Sequence, residues 1–308
     1  MPGNPDITAN WNSLREKINL GDQHSLARAI SLIENEFAGY DDFLKKLGNS
    51  SGTRIVGITG PPGAGKSTLA DALIGEWIEA DNKVAVLCVD PSSPFHHGAL
   101  LGDRLRMNQW YNHPSVFIRS LSSRGSLGGL NPHIIEIADV LKATGYDKIL
   151  IETVGVGQNE VDIAGLAETT VVVLVPASGD DIQAMKSGIL ETADIFVINK
   201  SDLPQADELA RYILSRKLPA GQNGEDPPVI VKTIATEKQG IPELSKQIML
   251  HLQKFSHSPR RIDLLAEKAW RLILQKKMGM IDKNQLREKI ISEENAGKFN
   301  FYQFISDY

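Results

Sequence analysis

Short, continuously apolar runs recur along this chain, separated by stretches in which apolar residues return every three or four positions. The runs cover residues 54–59, 83–89, 115–120, 148–152, 170–175, 194–198 and 228–233. None alternates apolar with polar, which marks strands covered on both faces rather than half-exposed ones. Residues 66–80, 133–144 and 182–192, lying between runs, have helical spacing. This alternation predicts an α/β fold: a mostly parallel, doubly wound sheet with helices on both faces, whose ligands gather at the carboxyl ends of the strands.

Both flanks read as helical. Residues 11–47 carry Leu26, Ile30 and Ile33, then Phe37, Tyr40, Phe43 and Leu47, at helical intervals. A break is expected near Gly39, with Asp41 as N-cap of the next helix. After the apolar pattern ends near Ile241, residues 242–255 read as a closing helix and 256–259 as a linker. Residues 260–277 then place Ile262, Leu265, Ala269, Leu272 and Ile273 along one face, with Trp270 beside it. A further helix over 283–295 and an aromatic tail follow. The chain therefore divides into an N-terminal helical extension (1–50), a main α/β domain (51–256) and a C-terminal helical arm (257–308). The apolar faces of the arm need a cover, either a second copy or the chain's own N-terminal helices.

Composition narrows the class. Over 308 residues, 42% hydrophobic content is enough for a full core. Thirty-three basic against 38 acidic residues, net −5, argue against a mainly electrostatic nucleic-acid or bilayer binder. A single cysteine, Cys88, excludes a disulfide within the chain. No apolar run approaches the ~20 residues that cross a bilayer. Asp6, Glu16 and Asp22 interrupt the first 25 residues, which lack the apolar core of an export signal. A cytoplasmic location is expected.

The first apolar run ends in Gly60-Pro61-Pro62-Gly63-Ala64-Gly65-Lys66-Ser67-Thr68, a G-x-x-x-x-G-K-S phosphate loop between strand and helix, as that motif requires. Its glycines let successive N–H groups turn inward around a phosphate, and the following helix adds the positive end of its dipole. Lys66 is expected to reach the terminal phosphates and the Ser67 hydroxyl to ligate Mg²⁺.

Asn199-Lys200-Ser201-Asp202 follows the sixth run and has the form N-K-x-D. The Asp202 carboxylate can accept from guanine N1–H and from its 2-amino group. Adenine offers neither donor, so discrimination of about 1–3 kcal/mol is expected. Asn199 can bridge to the phosphate loop and the Lys200 stem can cover the base, whereas a polar turn with Asp202 capping a helix is the structural alternative. The run Thr233-Ile234-Ala235-Thr236, following the last strand, can present a backbone N–H to guanine O6. Asp90, Asp103 and Glu152 are candidates for Mg²⁺ or its waters, and the Gly155 N–H for the γ-phosphate. Turn formation or helix capping is the alternative for the two aspartates. Glu152 closes an apolar strand, where a carboxylate is costly without a cation or hydrogen bonds.

GITGPPGAGKSTL, VDPSSP, GDRLRM, ETVGVGQNE, GDDIQAMKSGILETAD and NKSD, in this order, resemble the MeaB/ArgK (MMAA-like) family of GTPases in the G3E group of P-loop proteins. The resemblance implies a Mg²⁺-dependent GTPase that converts GTP to GDP and serves as chaperone of an adenosylcobalamin-dependent acyl-CoA mutase, chiefly methylmalonyl-CoA mutase. It implies switch segments at 90–107, 152–160 and 179–188, with Gln183 and Lys186 in the third, and a homodimer through the arm. Two departures are Ser126, where relatives often carry His, and Ile234, where Ser is usual. Lys66, Asp90, Asp103 and Glu152 form the expected catalytic set; Gln158 is a tempting water-orienting residue, and Arg104, Arg106 and Arg124 are candidate charge-stabilising arginines. A small-molecule kinase would share the phosphate loop, but NKSD weighs against it. A nickel metallochaperone would need a His-rich tract or paired cysteines, and His96-His97 with one cysteine falls short of that ligand spacing.

Overall fold

The computed structural model describes residues 10–48, 52–90, 107–123, 130–153, 162–176, 189–217, 228–278 and 281–306. Seven strands form one sheet: β1 (Arg54–Thr59), β2 (Val84–Asp90), β3 (Val116–Ser122), β4 (Lys148–Thr153), β5 (Thr169–Leu174), β6 (Ile195–Asn199) and β7 (Val229–Thr233). Their order is β3-β2-β4-β1-β5-β6-β7, and every neighbouring pair is parallel. The predicted doubly wound α/β architecture is the one the chain adopts. Its helices are α1 (Trp11–Asn19), α2 (Gln23–Glu34), α3 (Tyr40–Lys45), α4 (Lys66–Glu79), α5 (Ile134–Ala143), α6 (Ile189–Thr192), α7 (Ala206–Lys217), α8 (Ile241–Ser256), α9 (Arg260–Met278), α10 (Lys283–Asn295) and α11 (Phe301–Ser306).

Side chains alternate across the sheet, and both faces are apolar because both are covered. Val56, Ile58, Val86, Leu150, Val171 and Val197 pack with Leu69, Leu73 and Trp77 of α4 and with Leu244, Ile248 and Leu252 of α8. Val172, Leu174, Phe196 and Ile198 pack on the other face with Ala206 and Ile213 of α7. A Trp77 Nε1 hydrogen bond to Ser245 Oγ, 3.0 Å long, ties α4 to α8.

Helix α2 is tied by side-chain hydrogen bonds to β3, the strand at one edge of the sheet. Arg119 of β3 donates to Glu34 Oε2 at 2.7 Å and to Ser31 Oγ at 3.0 Å, both on α2. Gln23 Nε2 reaches the carbonyls of Pro114 and Val116. One detail differs from expectation: Gly39, not Asp41, opens α3, and Asp41 lies inside its first turn. The reason is local. Residue 39 is left-handed, with φ 91°, and a Cβ there would come within 2.9 Å of Trp11 Nε1, whose hydrogen bond to Ala38 O fixes the indole.

The chain falls into two compact units, Met1–Leu264 and Leu265–Tyr308. At the end of the first, Arg260 in the first turn of α9 pairs with Asp194, which also accepts from Thr170 N at 2.8 Å. The second unit holds the remainder of α9, α10 capped by Asp282, and α11, whose Phe304 packs on the preceding Phe299 with ring centroids 5.7 Å apart. Among the described residues no helix is long and apolar enough to cross a membrane.

Candidate nucleotide site

The register brings five strand ends together at one edge of the sheet. Ile58 lies opposite Glu152, Thr59 opposite Val172, and Asn199 opposite Thr233. β1, in the centre, runs straight into the phosphate loop at Gly60. That residue has φ 140°, and a Cβ on it would overlap the Val173 carbonyl, so only glycine lets the loop cross β5 here. Gly65 is left-handed as well, with φ 86°, and stands at the N-cap of α4 without a side-chain cap. The first-turn N–H groups of α4 therefore remain for an anion, which is the physical basis of phosphate binding at a helix start.

Lys66 is buried, and its Nζ donates to Gly60 O at 2.8 Å and Pro61 O at 2.9 Å. The ammonium is thus held over the loop it is expected to serve. Ser67 Oγ donates to Glu152 Oε1 at 2.6 Å, with both residues buried. Two oxygen donors of this kind, one carrying charge, suit a hard divalent cation such as Mg²⁺. Next to them, Thr153 Oγ1 donates to Thr59 Oγ1 at 3.0 Å and locks the ends of β4 and β1. Thr68 is half-buried in the first turn of α4.

The second half of the site is organised by Asn199, only 3% exposed. Its Nδ2 donates to Ala64 O in the phosphate loop at 2.9 Å, and its Oδ1 accepts from Thr233 Oγ1 and from Ala235 N, each at 3.1 Å. One side chain therefore joins the phosphate loop to the segment after β7. Ile234 pairs backbone-to-backbone with Gln239, and Ala235–Glu237 make a short 3-10 turn that includes Thr236. Lys200 is left-handed, with φ 54°, and its Nζ donates to Gly63 O at 3.1 Å. Asp202 is exposed, and α7 begins only at Ala206, so Asp202 does not serve as that helix's cap.

Sequence reasoning brought together Gly60 to Ser67, Glu152, Asn199, Lys200 and Ala235, and the structure places them along one edge. It missed the supporting hydroxyls of Thr59, Thr153 and Thr233, whose only signal is a threonine closing an apolar strand. Asp90 ends β2, opposite Ser122. The Asp90 side chain, Asp103, Arg104, Arg106, Arg124, Gly155, Gln158, Gln183 and Lys186 lie outside the described residues.

Comparison with known proteins gives concordant results. Residues 26–292 match the model of a family described as methylmalonyl Co-A mutase-associated GTPase MeaB. A Pyrococcus horikoshii protein is 45% identical over 260 residues, covering 83% of this chain and 80% of that one. The GTPase ArgK of Escherichia coli K12 is 36% identical over 245 residues, 74% of this chain and 72% of ArgK. The mitochondrial methylmalonic aciduria type A homolog of Caenorhabditis elegans is 33% identical over 267 residues, 82% of this chain and 67% of that protein. A crystal structure of the LAO/AO transport system kinase superposes with a TM-score of 0.64 at 23% identity, over 99% of this chain and 98% of that one, a likeness of fold.

Proposed function

This chain belongs to the MeaB family of methylmalonyl-CoA mutase-associated GTPases, and from that premise we propose that it hydrolyses GTP in a Mg²⁺-dependent reaction coupled to the state of an adenosylcobalamin-dependent acyl-CoA mutase. The observation that carries the reading is Asn199, whose side chain spans from Ala64 to Ala235 and so joins a phosphate-binding edge to a base-binding edge. The reaction is in-line attack of water on the γ-phosphate, giving GDP and phosphate. Lys66 and the first-turn N–H groups of α4 stabilise the charge on the transferring phosphoryl group. Ser67 and Glu152, with Asp90 and Asp103, are the residues to hold Mg²⁺, which when bound neutralises phosphate charge. Asp202 reads the guanine Watson–Crick edge, and Ala235 N–H is the backbone donor for O6.

For the partner, support comes from the family description and from the 179–188 segment that follows β5 in sequence. A segment that differs between GTP and GDP states can bias a partner only through differential contacts. By this reading Gln183 and Lys186 make such contacts with methylmalonyl-CoA mutase, and GTP hydrolysis is spent on cofactor loading and protection. The test is GTP turnover with and without the mutase and with and without Mg²⁺. Basal turnover near the ~10⁻⁴–10⁻² s⁻¹ of unassisted GTPases is expected. EDTA should abolish it, the mutase should raise it, and Gln183→Ala with Lys186→Ala should blunt the gain while sparing basal hydrolysis. Turnover indifferent to EDTA would remove the metal role; turnover indifferent to the mutase would remove the partner.

A further inference from the structure

One backbone N–H of the nucleotide site has two acceptors to serve. Ala235 N–H is the donor read above as meeting guanine O6, and in the structure it donates to Asn199 Oδ1 at 3.1 Å. An amide N–H carries a single proton, so it does not make both bonds at full strength. Asn199 has no other way to turn its oxygen. Its Nδ2 donates to Ala64 O at 2.9 Å, and the backbone of Gly65 passes so close that a Cβ there would sit 2.4 Å from that nitrogen. The residue is buried, so water is a poor substitute for a lost donor.

The second donor to Asn199 Oδ1 is Thr233 Oγ1, also at 3.1 Å. Thr233 is 1% exposed and stands opposite Asn199 in the β6–β7 register. Its own carbonyl accepts from Ser201 N at 3.1 Å, so its backbone is pinned to the NKSD turn while its hydroxyl is pinned to the asparagine of that turn. Ile234, next in the chain, has no polar side-chain atom to share the task. A valine has nearly the same shape and would close this apolar strand without the cost of burying a hydroxyl. The hydroxyl therefore has a chemical purpose at Asn199.

We propose that Thr233 is a positioning residue for guanine recognition, acting through an exchange of donors at Asn199. Asn199 Oδ1 accepts from Thr233 Oγ1 and Ala235 N together. Once guanine O6 draws the Ala235 proton, Thr233 Oγ1 is the donor that keeps the buried Oδ1 satisfied. Asn199 then holds its bridge to the phosphate loop with the base in place. The proposal rests on the reading of Ala235 N–H as the O6 donor. A buried acceptor left bare is costly, whereas in nucleotide-free protein Ala235 N–H still covers for a deleted hydroxyl. The effect of Thr233 therefore belongs to the nucleotide-bound protein.

The test measures equilibrium binding of GDP and 6-thio-GDP to the full chain as wild type, Thr233→Val and Thr233→Ser. The thio analogue keeps the N1–H and 2-amino donors and carries, in place of O6, a sulfur that accepts hydrogen bonds weakly. Wild type should bind it about fivefold more weakly than GDP. Thr233→Val should weaken GDP about tenfold and the thio analogue by less than about twofold, because sulfur leaves the Ala235 proton with Asn199. Thr233→Ser, which restores the hydroxyl, should bind GDP within about twofold of wild type. The urea midpoint of nucleotide-free Thr233→Val should match wild type, and the rise that GDP gives it should shrink. Equal binding of both nucleotides by wild type would remove Ala235 N–H as the O6 donor, and this role with it. A wild-type preference for GDP, with Thr233→Val losing the same factor on both ligands or nothing on either, would overturn the exchange and leave the base reading standing. Should Thr233→Val fail to fold, Thr233→Ala, which removes the hydroxyl and adds no atom, decides by the same two ratios.

Discussion

Two residues of one four-residue motif divide structure from recognition. Asn199 is buried with both ends of its amide hydrogen-bonded, while Asp202 is exposed. A change at Asn199 must therefore disturb the fold of the site, whereas a change at Asp202 reaches only what binds there. Asp202→Asn should leave the denaturation midpoint where it is. It should weaken GTP by about 1–3 kcal/mol, roughly fivefold to a hundredfold in affinity. Xanthosine triphosphate, whose 2-oxo group accepts where guanine donates, should gain. Competition binding with the two nucleotides measures this, and unchanged GTP preference would show that Asp202 does not read the base. At this scale the sequence was informative wherever a residue type is chemically irreplaceable. Gly60 must pass under the Val173 carbonyl, and the Lys-Ser pair must open the helix. It was silent on the hydroxyl bonds of Thr153 and Thr233, whose partners lie 94 and 34 residues away.

Elements were legible to the extent that one physical signal dominated them. All seven strands were visible because burial on both faces removes the polar alternation that a half-exposed strand shows, and their ends were displaced by two residues at most. The start of α3 was misread because its capping residue is a left-handed glycine fitted around Trp11, a tertiary contact that local spacing does not encode. The coupling of α8 to the sheet was likewise invisible. His251 meets Thr169 Oγ1 at 2.8 Å through Nδ1 and approaches Asp194 at 3.5 Å through Nε2. Burial holds its pKa below 6.5, against the opposing pull of Asp194, so it is neutral at pH 7 and its approach to Asp194 is not an ion pair. Arg260 supplies the countercharge instead. The sign of the pH dependence follows. In the unfolded chain His251 takes a proton as pH falls through about 6.5, and in the folded chain only lower still. Its contribution to stability is therefore complete above that value and is lost as pH falls below it. Urea midpoints measured on either side of pH 6.5 should show this decline, and His251→Gln should flatten it. An equal decline in His251→Gln would assign the effect to other groups.

At the scale of the whole molecule, the main unit accounts for nucleotide chemistry and the C-terminal unit does not. Ile262, Leu265, Trp270 and Ile273 on α9 are 63%, 50%, 58% and 54% exposed. They follow one another along a helix of 19 residues that is otherwise rich in charge. Helices of this kind lower their free energy by burying the stripe against a partner, and a second copy of the same chain offers a matching stripe under two-fold symmetry. A dimer in light scattering at micromolar concentration is expected, and Trp270→Asp with Ile273→Asp should shift it to monomer without affecting GTP affinity. The place to divide the chain is set by Arg260, whose guanidinium pairs with Asp194, a side chain 7% exposed. Cutting ahead of Arg260 would leave that carboxylate without its countercharge beside β6, a loss of stability unrelated to assembly. Truncation after Leu264 keeps the pair and removes the second unit alone. The product should bind GTP with unchanged affinity and sediment as a monomer. An intact chain that is already monomeric, or a truncated one that still dimerises, would place the self-association surface elsewhere or remove it, while leaving the nucleotide site as described.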